Sequence, residues 1–174
     1  MNTNKILPGI LLLFISMNCY CQTNKNAFSA TIGVTKDGYG AMISYNCFNH
    51  KNNSLAVSLL VTDASYTLQE NKITYKDFII GLGYCTPLYF AKDGKIGVLF
   101  NIGGLAGYEI ADTKIDLKIN ESKMIYGAYV GLDFEYNVND STRFLVKINE
   151  TYRINSELGK FVPFIGIGLK RNIN

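Results

Sequence analysis

Hydrophobic and polar residues alternate with period two along most of the chain after residue 22, and no window sustains the 3.6-residue period of an amphipathic helix. Eight alternating stretches predict eight strands. The first, residues 27–36, sets Phe28, Ala30, Ile32 and Val34 against Ser29, Thr31, Gly33 and Thr35, and Lys36-Asp37-Gly38 turns it. The second, 39–48, aligns Ala41, Ile43, Tyr45 and Cys47 opposite Met42, Ser44 and Asn46. The third, Ser54–Leu68, aligns Leu55, Val57, Leu59 and Val61, and the fourth, 73–90, aligns Phe78, Ile80, Leu82 and Tyr84. The fifth, 96–110, sets Ile96, Val98, Phe100, Ile102, Ala106, Tyr108 and Ile110 against Gly97, Asn101, Gly103, Gly107 and Glu109. The sixth, 124–138, opposes Met124, Tyr126, Ala128, Val130, Leu132, Phe134, Tyr136 and Val138 to Gly127, Tyr129, Gly131, Asp133 and Glu135. In the seventh, Thr142–Ile154, Phe144, Val146, Ile148 and Tyr152 oppose Arg143, Lys147, Asn149, Thr151 and Arg153. The eighth, 160–173, carries Phe161, Ile165, Ile167, Leu169 and Ile173 on its apolar face.

Eight consecutive strands joined mostly by short turns predict an all-β fold: a single antiparallel up-and-down β-barrel. Three features turn its apolar rows outward, as in a barrel whose wall meets lipid. Several stretches run well beyond the five or six residues usual in globular sheets and reach the ~10 that a tilted crossing needs. The less apolar rows are rich in glycine, at Gly97, Gly103, Gly107, Gly127, Gly131, Gly166 and Gly168, which suits a crowded lumen. On those same rows, Asp133, Glu135, Arg143 and Lys147 sit on adjacent strands and can form a charge ladder inside it.

The connections fit a vectorial crossing. The turns at 49–53, 91–95 and 137–141 are short and fall on the side of the chain's N-terminus, the periplasmic side, while the one long and charged connection, 111–123, falls on the opposite rim as an extracellular loop. Tyrosine and phenylalanine cluster near strand ends, as in interfacial girdles.

The N-terminus reads differently from the rest. One lysine, Lys5, precedes an apolar run of roughly a dozen residues, shorter than the ~20 of a spanning helix, so residues 1–21 read as a cleaved signal peptide and 22–174 as the barrel domain. Cleavage is expected between Cys21 and Gln22, where small residues stand at the two positions the peptidase reads. A lipoprotein cysteine is disfavoured by Asn18 before Cys19 and Tyr20 before Cys21. That leaves Cys47 and Cys85, on strands separated by a third and with side chains on opposite faces, which predicts two unpaired buried thiols. The chain carries 17 basic and 14 acidic residues; removing Lys5 leaves 16 minus 14, a net +2 with no nucleic-acid footprint.

Candidate chemistry is sparse. The single histidine, His50, stands in a turn on the periplasmic side, away from the outer rim where small barrel hydrolases place a base, and reads as a solvated turn residue. With one histidine and two separated cysteines, a zinc ligand set is missing. Asp133 and Glu135 lie two apart on one strand beside cations, which favours charge pairing over glycosidase chemistry. The run Gly103-Gly104-Leu105-Ala106-Gly107 lacks the lysine and helix of a phosphate loop. No catalytic, cofactor-binding or metal residue is assigned, and no cofactor is expected.

The strings GLAGYE at 104–109, IYGA at 125–128 and GKFVPFIGIGLKRNIN at 159–174, with Tyr75-Lys76-Asp77 as a weaker echo, resemble the TraO family of conjugal transfer proteins of conjugative transposons in order and spacing. The resemblance implies a leader followed by a β-rich mature part, and a non-enzymatic place in the envelope apparatus that passes transposon DNA between cells. It implies outer-membrane lipid and other conjugation proteins as partners. The alternatives are a generic outer-membrane barrel for adhesion or envelope stability, and a soluble periplasmic lipocalin-like binder.

Overall fold

The computed structural model describes residues 26–49, 52–68, 71–113, 120–156 and 159–173. The expected signal peptide, His50 and the connecting residues 114–119 lie outside the described residues. Eight strands follow one another: β1 (Asn26–Thr35), β2 (Gly38–Phe48), β3 (Ser54–Leu68), β4 (Asn71–Phe90), β5 (Ile96–Thr113), β6 (Asn120–Asn137), β7 (Thr142–Ile154) and β8 (Phe161–Ile173). Each pairs antiparallel with the next. β1 also pairs with β8, from Asn26↔Ile173 to Thr35↔Phe164, which closes the barrel and removes its edges.

The turns supply the chemistry these hairpins need. Asp37, between the paired Thr35 and Gly38, adopts φ 60°, a left-handed conformation that a short polar side chain tolerates. In the turn between β4 and β5, Gly94 adopts φ 67° and Asp93 accepts a hydrogen bond from the Lys95 amide. Between β6 and β7, the Asn139 carboxamide oxygen accepts from the amides of Ser141 and Thr142. Those last two turns, the β2–β3 turn and the described ends of the chain share one rim, here called the terminal rim; the other is the distal rim.

The strands are unequal, and the inequality corrects the expected extracellular loop. β1 and β2 hold 10 and 11 residues, β7 and β8 hold 13 each, whereas β3 to β6 hold 15, 20, 18 and 18. Pairing runs on to Leu68↔Asn71 and Asp112↔Asn120, so most of 111–123 is strand and the connection shrinks to 114–119. The period-two signal fades there because strand that projects past its neighbours has both faces open, and nothing then requires an apolar row. Four strands thus rise past the ends of β2 and β7 as a raised flap on the distal rim.

Candidate functional site

The wall and the lumen have opposite chemistry. Most outward side chains are apolar and accessible, Ile32 at 68% and Leu169 at 56%, with polar ones such as Asp63 and Arg171 toward the strand ends, while the inward rows bury charge, Asp77 at 0% and Arg153 at 1%. This is the reverse of a soluble barrel, and it follows the alternation read from the sequence. Every strand is paired on both sides along most of its length, so the barrel wall has no open edge.

Inside, the expected ladder exists and is larger than the sequence indicated. Lys147 Nζ donates to both carboxylate oxygens of Asp133, at 2.6 and 2.7 Å, and Arg143 donates to Glu135 at 2.6 Å. Lys170 on β8 completes the Glu135 cluster at 2.6 Å, its ammonium 5.1 Å from the Phe48 ring centroid. Nearer the distal rim, Arg153 of β7 reaches across the lumen to Asp77 of β4 at 2.7 Å, where the Thr62 hydroxyl also donates at 2.7 Å. A buried charge is tolerable only when paired and hydrogen-bonded, so each cation with its carboxylate forms one unit. Carboxylates committed in this way tie the strands together across the lumen.

An apolar cluster of Met42, Leu60, Ile79, Leu105, Ile125 and Phe164, with Tyr129 against it, fills much of the remaining cross-section. These inward hydrophobes blend into rows that a simple apolar-versus-polar sorting calls polar. The Tyr129 ring lies over Gly83 and Gly103, where any side chain would collide with it. Asn101 Nδ2 and Asn149 Oδ1, which have no protein partner among the described residues, line a cavity of about 30 Å³, room for about one water. A wider cup of about 430 Å³ opens at the terminal rim, lined by Phe48, Asn52, Phe90, Leu99, Asp140, Arg143 and Asn172.

The cysteines answer the expectation of two unpaired thiols in opposite ways. Cys85 is free and 1% exposed, as expected. Cys47 is disulfide-bonded, to a partner outside the described residues, so the expectation fails there. Its place on β2 continues the outward row of Ile43 and Tyr45, yet it is buried, unlike the accessible side chains of that row.

Sequence reasoning passed over one outward residue. Glu150 lies on β7 between the outward Ile148 and Tyr152, paired with Val130 of β6 and Pro163 of β8, and its Oε1 is buried without a hydrogen-bond partner among the described residues. A strict even-odd count along β7 would have placed this carboxylate on the apolar wall.

No curated protein matches the sequence. Among solved structures, a major outer membrane protein from Thermus thermophilus superposes with a TM-score of 0.63 at 10% identity, covering 85% of this chain and 99% of that one. The N-terminal β-barrel domain of Pseudomonas aeruginosa OprF gives 0.56 at 13%, covering 87% and 98%, and the attachment invasion locus protein Ail of Yersinia pestis 0.56 at 13%, covering 86% and 98%. At such identity the likeness establishes the fold, a closed eight-stranded antiparallel up-and-down barrel. The sequence itself matches the family model described as conjugative transposon protein TraO over residues 17–173, nearly its full length. The chain belongs to the TraO family of conjugative transposon proteins.

Proposed function

We propose that this protein is a non-enzymatic outer-membrane component of a conjugative transposon's transfer apparatus, exported by an N-terminal leader and anchored by its barrel. The observation that carries the membrane placement is the inverted polarity: an apolar outer wall around a lumen of paired charges. Family membership supports the transfer role. The barrel holds the raised flap of β3 to β6 at the cell surface and the terminal-rim turns in the periplasm, where other transfer proteins can engage them. It does not conduct DNA, because the lumen is packed with side chains and ion pairs.

Deleting the gene from a donor strain tests the role. Transfer frequency is expected to fall sharply and to return when the full chain is supplied in trans, with the protein recovered in outer-membrane fractions and migrating faster on gels when unboiled. Unchanged transfer would leave a general envelope barrel, and recovery in the soluble fraction after membranes are pelleted would point to a periplasmic binder.

A further inference from the structure

Arg171 is a cation on an apolar wall. It stands on the outward row of β8 between Leu169 and Ile173, two residues before the strand ends at the terminal rim, and pairs with Phe28 of β1 and Thr142 of β7. The inward Arg143 and Lys170 each meet a carboxylate, whereas the exposed Arg171 side chain meets none among the described residues. Asp140 of the adjoining turn lines the cup inside the rim. A guanidinium at the edge of a hydrocarbon layer is stabilised where it reaches an anion.

A furrow in the wall begins beside it. Phe28 shares the rung of Arg171, and so does Tyr45 on the following strand, 39% exposed. Past that rung the outward residues of β1 and β2 alternate in size, Ala30 opposite Ile43 and then Ile32 opposite Ala41, so each rung holds one small side chain. Two hollows result. One of about 320 Å³ lies around Ile43, Val57 and Leu59, and one of about 720 Å³ around Ile32, Ala41 and Val61. They follow one another along β2 toward the distal rim. From the Phe28 rung to the Val34 rung is six residues, ~20 Å of strand, longer than the ~15 Å half-thickness of a bilayer's hydrocarbon. Asp63, opposite Lys76 in register, bounds the distal end, so the unmatched charge of the furrow is the cation at its terminal end.

From this we infer that the β1–β3 wall binds an anionic phospholipid of the leaflet at the terminal rim, its phosphate on the Arg171 guanidinium beside the Tyr45 hydroxyl and one acyl chain lying in the furrow. A guanidinium matches a phosphate with two parallel N–H donors, and a narrow apolar furrow buries a methylene chain. A second copy of this chain fits worse. Both copies would enter the membrane in one direction, so a two-fold axis along the membrane normal would set Arg171 against Arg171 at the same depth. The inference rests on the membrane placement proposed above and is independent of the transfer role.

The chain has no tryptophan, so a single introduced one reports on its own surroundings. Leu169→Trp places it opposite Ala30 at the furrow, and Ile102→Trp places it on the β5 wall. The full-length chains are inserted in phosphatidylcholine vesicles holding phosphatidylglycerol brominated on its acyl chains, which quenches the indole it touches. Half-quenching of Leu169→Trp should need about fivefold less brominated lipid than that of Ile102→Trp, the scale of one cation at a headgroup. Adding Arg171→Leu should bring the two reporters together, Arg171→Lys should keep most of the difference, and Ala30→Phe should reduce it by filling the furrow. With the bromine moved to the phosphatidylcholine, the order should reverse. Equal quenching of both reporters in chains that show the heat-modifiable gel shift overturns the lipid site alone, as does a difference that survives Arg171→Leu. A Leu169→Trp reporter screened from both brominated lipids, while Ile102→Trp is quenched, would give the furrow to a protein segment instead. Absence of quenching at both reporters overturns the membrane placement itself.

Discussion

At the scale of single residues, the lumen's buried ion pairs set the terms for mutation. The Lys147 ammonium and Asp133 carboxylate are 8% and 7% exposed and 2.6 Å apart. Removing one partner strands the other in a poorly solvated interior, while removing both leaves only a packing problem. Lys147→Ala is therefore expected to destabilise the barrel by about 3–5 kcal/mol, and the Asp133→Leu/Lys147→Leu double change by much less. The loss of the fast-migrating gel form with rising urea, in vesicles, measures both. A single change as mild as the double would mean that water reaches the pair. These partners were visible in the sequence because Asp133, Glu135, Arg143 and Lys147 lie on strands consecutive in the chain. Asp77 and Arg153 were not, because only closure brings β4 opposite β7.

The element scale is dominated by the unequal strands. β4, with 20 residues, is about twice as long as the ~10 residues a tilted crossing requires, and β3, β5 and β6 accompany it beyond the distal ends of β2 and β7. If the distal rim faces the medium, trypsin added to intact cells should cut at its exposed lysines, Lys36 and Lys160, and leave the wall strands protected. Cleavage confined instead to Lys92 or Lys95, at the terminal rim, would reverse the orientation. Alternation located all eight strands because an apolar outer wall and a lumen of packed charge demand it at every second residue. It lost the flap because backbone pairing continues where that demand ends.

For the molecule as a whole, closure and filling decide what the barrel can pass. The apolar cluster around Phe164 and Leu105 and the ion pairs beside it leave only small internal space. In planar bilayers the native protein should show no stable ion conductance, whereas a Met42→Ala/Leu105→Ala/Phe164→Ala chain should open a small one. Large native conductance steps would contradict the filled lumen and reopen the question of passage.

The sequence by itself determined the strands, the face each side chain takes and the family. The first two follow from a side-chain period of two read against two solvents of opposite polarity, and the third from short strings in fixed order. Only the tertiary structure decided that β1 closes on β8, that Arg153 answers Asp77 across the lumen, that Cys47 is bonded while Cys85 is free, and that Arg171 stands at the end of a furrow in the wall. Each of these depends on which strands become neighbours in space, and the number of residues between two side chains does not encode that.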